Sequence, residues 1–101
     1  MLAARRMVWI EKEDADPIGV PIDFSAPEDE SRSWCCEVRI GWPEGSETHQ
    51  VRGVDAVQAL DLAMRFAGLQ LSVSRYHREG SLYFERPGDE YGFPAPEQPS
   101  R

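Results

Sequence analysis

The sequence has no asparagine, a single lysine (Lys12) and only two cysteines, which are adjacent (Cys35 and Cys36). Ten arginines carry the remaining basic charge, a bias expected of a GC-rich bacterial genome. No apolar run approaches the roughly 18 residues needed to span a bilayer, so no membrane association is expected. The apolar run after Arg5 and Arg6, Met7 to Ile10, is too short for a signal-peptide core, and a cytoplasmic location follows as an expectation. No Gly-rich phosphate loop, HExxH or GxSxG is present. His77-Arg78-Glu79 contains the H-x-E of nucleobase deaminases but lacks the later P-C-x-x-C that completes their zinc site. Neighbouring cysteines on a strand point to opposite faces, which suits neither an ordinary disulfide nor shared zinc ligation. Two reduced thiols are expected, Cys35 on the outward face being the one able to react. A site built from Cys35, His49 and Asp23 can be imagined, but nothing in the spacing brings the three together. No catalytic residue, cofactor or metal is therefore expected.

What is there is compact and acidic. At 101 residues, with 41% hydrophobic residues and ten aromatics, the chain has enough apolar mass for one core and too little for two. The expected layout is a single domain over residues 1–94, followed by a Pro-rich, disordered tail at 95–101. The net charge of −7 is uneven: residues 11–30 hold eight acids and one base, and elsewhere ten acids balance ten arginines. Such a concentration reads either as a solvated rim or as a landing surface for a basic protein partner. With no basic face interleaved with aromatics, nucleic-acid binding is not expected.

The segment Gly53 to Val73 organises the chain. Asp55 followed three residues later by Gln58 is a capping-box pattern that opens a helix. Gln58, Asp61, Arg65, Gly68, Ser72 and Arg75 recur at steps of three and four as one narrow polar stripe, leaving a wide apolar arc of Val57, Ala59, Leu60, Ala63, Met64, Phe66, Ala67 and Leu71. Leu69, Leu71 and Val73 also alternate with polar residues, so the helix could end at Gly68 and give way to a strand; the unbroken stripe favours the longer helix. Upstream, Arg5 to Lys12 reads as a first strand and Val20, Ile22 and Phe24 as the apolar face of a second. Pro21, which has no N–H for a ladder, points to an edge position for that strand. Trp34, Cys36, Val38, Ile40 and Trp42 alternate cleanly with Cys35, Glu37, Arg39 and Gly41, a central half-buried strand whose apolar set should face the helix. After a Pro43 to Ser46 turn, Thr48 to Arg52 returns as a fourth strand, and Leu82 to Arg86 is a short strand or extended segment with Leu82 and Phe84 inward. The expected fold class is α+β, an antiparallel four- to five-stranded meander sheet with one principal helix packed on one face.

The Trp34-Cys35 pair, the helix opening Gly53-Val54-Asp55-Ala56-Val57-Gln58-Ala59-Leu60, the Gly80-x-Leu82 turn and the closing Gly92-Phe93-Pro94 together resemble a domain-of-unknown-function family of short, uncharacterised bacterial proteins. The resemblance spans about residues 5–94. It implies one domain with Gly-Phe-Pro inside the fold, and no activity or ligand.

The aromatics Trp9, Trp42, Tyr83, Tyr91 and Phe93 exceed what one helix-facing layer needs. Either Tyr91 to Pro94 folds back over some of them, or they form an exposed patch beside the acidic rim. The second arrangement makes Glu28, Asp29, Glu30, Trp42, Tyr91 and Phe93 the candidate partner-binding residues of a non-catalytic protein-interaction module. A small-ligand domain with a pocket between helix and sheet is the alternative. An enzyme would need a concave cluster of titratable groups that no motif announces.

Overall fold

In the computed structural model, which describes residues 1–86 and 90–94, one antiparallel sheet carries one long helix on a single face. The Pro-rich tail expected at 95–101 lies outside the described residues. The elements are β1 (Leu2–Ile10), β2 (Ile18–Ser25), β3 (Glu28–Asp29), β4 (Trp34–Trp42), β5 (Gly45–Gly53), α1 (Ala56–Ser72), α2 (Arg75–Arg78) and β6 (Leu82–Tyr83). Across the sheet β5 pairs β4, β4 pairs β2, β2 pairs β1 and β1 pairs β6, so the expected meander is present with β6 as a fifth strand. Two-residue β3 pairs with the first residues of β4, on the side that β2 occupies further along.

The period-two pattern of β4 translates directly into burial. Cys36, Val38 and Ile40 are buried on the helix side together with Val8 and Ile10 of β1 and Val20, Ile22 and Phe24 of β2. From α1 a column of Ala59, Ala63, Ala67 and Leu71 descends onto them. Three methyl side chains in that column let the helix axis approach the sheet closely, and Gly53 closes the approach. A Cβ on Gly53 would lie 2.5 Å from the Ala59 amide nitrogen and 2.8 Å from the Gln58 carbonyl carbon, backbone atoms that cannot turn aside. The last residue of β5 is thus pressed against the first turn of the helix. Asp55 Oδ1 accepts from the Gln58 amide at 2.8 Å as the capping pattern requires, while Gln58 Oε1 reaches one residue past the cap and accepts from the Val54 amide at 2.7 Å instead of that of Asp55.

Several expectations are corrected. Strand β2 is not an edge: it lies between β1 and β4. Pro21 is tolerated because the β2–β4 ladder begins only at Ile22, and the facing Gly41 leaves room, since a Cβ there would sit 2.9 Å from Pro21 Cγ. Of the two helix lengths weighed, the longer is present, running through Gly68 to Ser72, where the Val73 amide closes it on the Leu69 and Leu71 carbonyls; only the stripe's last residue, Arg75, falls outside it and begins the separate α2, capped by Ser74. Gly68 belongs to a packed flank rather than to the solvent stripe, because Phe93 Cβ lies against it at 3.1 Å from where a Cβ would stand. Val57 is 77% exposed, and half-buried Phe66 stands outside the core cluster. Neither belongs to the buried arc. The last strand stops at Tyr83, and the expected acidic loop 26–33 contains β3. Among the described residues no helix is long and apolar enough to cross a membrane.

Because the obstruction at Gly53 is backbone, Gly53→Ala should destabilise the fold by about 1–3 kcal/mol, the usual cost of overpacking. Urea denaturation followed by tryptophan fluorescence measures it; an unchanged midpoint would contradict this account of the helix–strand contact.

Candidate partner-binding surface

Antiparallel pairing splits the acidic segment between the two ends of the sheet. The β1–β2 connection, with Glu11, Glu13, Asp14 and Asp16 exposed, lies at the end marked by Ile10 and Ile18. Glu28, Asp29 and Glu30 lie at the other end, where Glu28 faces Cys35, Asp29 faces Trp34, and Trp34 in turn faces Gly53. All three acids are exposed. Asp29 Oδ1 accepts from the Ser31 amide at 2.8 Å and so holds the turn, and Glu30 pairs with Arg52 at 3.1 Å. An ion pair this exposed contributes little to stability and leaves the carboxylates available.

Immediately beside this row the chain leaves β5 and enters α1. Val54 and Val57, either side of the helix start, are each 77% exposed, and Trp34 is half-buried. The molecule therefore presents three carboxylates and two bare valines at one end, with the exposed guanidiniums of Arg32 and Arg52 among them.

The candidate aromatics lie elsewhere. Trp42 ends β4, eight residues or about 26 Å from Trp34 at strand rise. There it stacks on Tyr76 with ring centroids 5.4 Å apart. Tyr91 is buried, its hydroxyl 2.5 Å from His77 Nδ1, and burial pushes its phenol above the ordinary pKa. Phe93 packs edge-on to Phe24 at 5.7 Å. Arg6 fixes the same segment: it donates to the Tyr91 carbonyl at 3.0 Å, and its guanidinium lies 4.5 Å from the Phe84 ring centre and 4.7 Å from that of Phe93. Tyr91 to Pro94 folds back over the part of the core that α1 leaves uncovered. The structure thus gathers the acidic trio in one place and sends Trp42, Tyr91 and Phe93 to others. The exposure of Val54 and Val57 is not legible in the sequence, because nothing in a helical pattern tells a bare first turn from a packed one.

A second polar feature occupies the Trp42 end. Glu47, half-buried on the helix side of β5, accepts from Trp42 Nε1 and from Gln70 Nε2 at 3.1 Å, and stands 2.5 Å from His49 Nε2. Burial pushes the Glu47 carboxyl up, but the His49, Trp42 and Gln70 hydrogen bonds together outweigh it and hold it below the ordinary value. Nearby, Glu44 accepts from the Tyr76 hydroxyl at 2.7 Å, which lowers its pKa, and the Arg75 guanidinium lies over the Tyr76 ring. A cleft of about 290 Å³ runs between Trp42, Glu44, Glu47, Gln70, Arg75 and Tyr76.

Cys35, His49 and Asp23 are kept apart. Cys35 and Asp23 belong to the outer face, where Asp23 forms a two-pronged pair with Arg5 at 2.6 and 2.9 Å. His49 faces the helix, its ring 4.7 Å from that of Phe66. Both cysteines are free and buried; Cys35, expected to be the accessible thiol, is only 7% exposed beside the Glu28 strand.

The sequence model of a domain of unknown function, DUF6968, matches residues 4–95, which takes in all but the first two residues of β1, the other described strands and helices, and the closing Tyr91 to Pro94 segment. No curated protein matches, and no solved structure does.

A carboxyl held below its ordinary pKa stabilises the fold above that ordinary value, about 4.5 for Glu47, and the contribution is lost as pH falls through the folded pKa. Glu47→Gln should therefore lower the melting temperature at neutral pH, and its deficit against the native chain should shrink as pH falls through 4.5 and below. Thermal melts across that range check this; a constant deficit would show that Glu47 acts through shape alone.

Proposed function

The chain belongs to DUF6968, a family of domains of unknown function, and from that starting point we propose that it is a non-catalytic protein-interaction module that docks a basic protein on its acidic, valine-bearing end. The observation that carries this reading is the exposure of Val54 and Val57, 77% each, at the same end as Glu28, Asp29 and Glu30. The two components do different work. The carboxylates steer a positively charged surface toward this end and raise the association rate, an effect that weakens with salt. The valines supply short-range attraction, up to about 1.5–3 kcal/mol each if fully buried. Most of the local backbone is already fixed by β3–β4 pairing and the Asp55 cap, so little ordering is needed on binding. The asparagine-free, arginine-rich composition supports a bacterial source, and the two free thiols support a reducing, cytoplasmic setting.

The Trp42 cleft favours a second reading, a small-ligand domain. Two carboxylates beside a Trp–Tyr stack suit a compact organic cation such as an alkylammonium or guanidinium, which would take the place that the Arg75 guanidinium holds over the Tyr76 ring. A thermal-shift screen of such cations should raise the melting temperature if the cleft is used, since a ligand that binds only the folded state stabilises it. A flat screen removes this reading and leaves the first untouched.

The test of the principal reading is affinity capture from the source organism with the native chain and two variants, Glu28→Gln/Asp29→Asn/Glu30→Gln and Val54→Ser/Val57→Ser. The native chain should recover a basic protein whose affinity falls steeply with salt. The acid variant should lose the salt dependence and at least about tenfold in affinity, and the valine variant should lose affinity at every salt concentration. Recovery of no basic protein, or equal binding by all three chains, would overturn the reading.

A further inference from the structure

The free edge of β5 and the flank of α1 above it form a second surface, unrelated to the acidic end. Strand β5 pairs with β4 over its whole length, Trp34 with Gly53 through Trp42 with Gly45, without a bulge. Among the described residues β4 is its only strand neighbour. A regular nine-residue edge without proline, lysine or a bulge leaves its outward N–H and C=O groups open to another strand, although Glu47 and Arg52 place charge on it. The other strands with a free side, β3 and β6, are only two residues long.

Helix α1 runs back along this strand. Phe66 lies on His49, and Gln70 reaches Glu47, which identifies the flank of the helix that overlies β5. The opposite flank meets Phe93 at Gly68. On the β5 flank Leu62, Phe66, Leu69 and Val73 follow one another at helical spacing. Leu69 is 43% exposed and Val73 54%, while half-buried Leu62 and Phe66 are not packed against the core cluster. An apolar stripe therefore runs beside an open strand edge, one layer above it.

We propose that this two-layer face pairs with a second copy of the chain around a two-fold axis perpendicular to the sheet, β5 against β5. The geometry selects that occupant. An isolated extended peptide would satisfy the edge but leave the helix stripe bare. A second copy brings its own helix at the same height. Because α1 rests over β5 and β4, its axis stands about one strand spacing, 4.8 Å, from such an axis of symmetry. The two helices would then lie about 10 Å apart, at the 8–10 Å separation at which helices pack side by side, with the stripes facing. Charge permits the approach. The chain as a whole carries −7, but on β5 Glu47 is offset by Arg52, and on α1 Asp61 pairs with Arg65 at 2.9 Å. The antiparallel arrangement directs the two acidic ends away from each other, leaving both free.

Analytical ultracentrifugation of the full chain over a dilution series tests this. The native protein should sediment as a dimer of the 11.5 kDa chain and dissociate on dilution. Leu69→Glu/Val73→Glu, at exposed positions, should raise the dimer dissociation constant at least about tenfold while its far-UV circular dichroism stays that of the native monomer. A native chain that stays monomeric throughout, or a dimer that the folded double variant forms equally well, would overturn the proposal. Should the double variant fail to fold, Thr48→Pro on the exposed face of the edge strand supplies the same comparison.

Discussion

The close seating of α1 on the end of β5 governs the rest of the molecule. Gly53 has no side chain, so the strand can run into the first turn of the helix, and the alanine column Ala59, Ala63 and Ala67 keeps the axis low over β4 and β5. Once the helix lies there it covers only the near side of β2 and little of β1. That half of the core is closed by Tyr76 of α2, by Leu82 and by the returning Tyr91 to Pro94 segment, with Arg6 held between Phe84 and Phe93. The same seating aligns Phe66 with His49 and Gln70 with Glu47, which builds the polar cluster at the Trp42 end. It also leaves Val54 and Val57 with nothing above them. Core, cleft and bare acidic end all follow from one steric allowance.

Much of the fold was legible because it rests on periodicity. A strand buried on one face must alternate, and Trp34 to Trp42 does; a capped helix needs a side-chain acceptor for its first amides, and Asp55 is one for Gln58. The misreadings fall where a residue's meaning depends on a neighbour far away in sequence. Pro21 suggested an edge because the sequence shows a missing donor but not where a ladder begins. Gly68 counted as part of a polar stripe because glycine has no polarity of its own, and only the returning Phe93 decides its surroundings. Cys35 was expected outward and accessible; it is outward, but Glu28 pairs beside it and the site is buried.

The candidate surface was half legible. The acidic segment stands out in composition, yet one contiguous run becomes two groups at opposite ends of an eight-residue strand. The aromatic surplus was equally visible, but its use depends on the path of the chain after β6. Tyr91 and Phe93 turn inward against His77, Gly68 and Phe24. The Glu47 cluster joins residues five, two and twenty-three positions away, and no local pattern announces it.

On the proposed reading, charge steering and apolar contact at the helix start make the acidic end the docking surface for a basic partner. Hydrogen–deuterium exchange of the complex with its captured basic partner tests that claim most directly. The account predicts added protection confined to the amides of residues 28–30 and 53–58. Protection concentrated instead around Trp42 and Tyr76, with residues 28–30 and 53–58 unchanged, would contradict it.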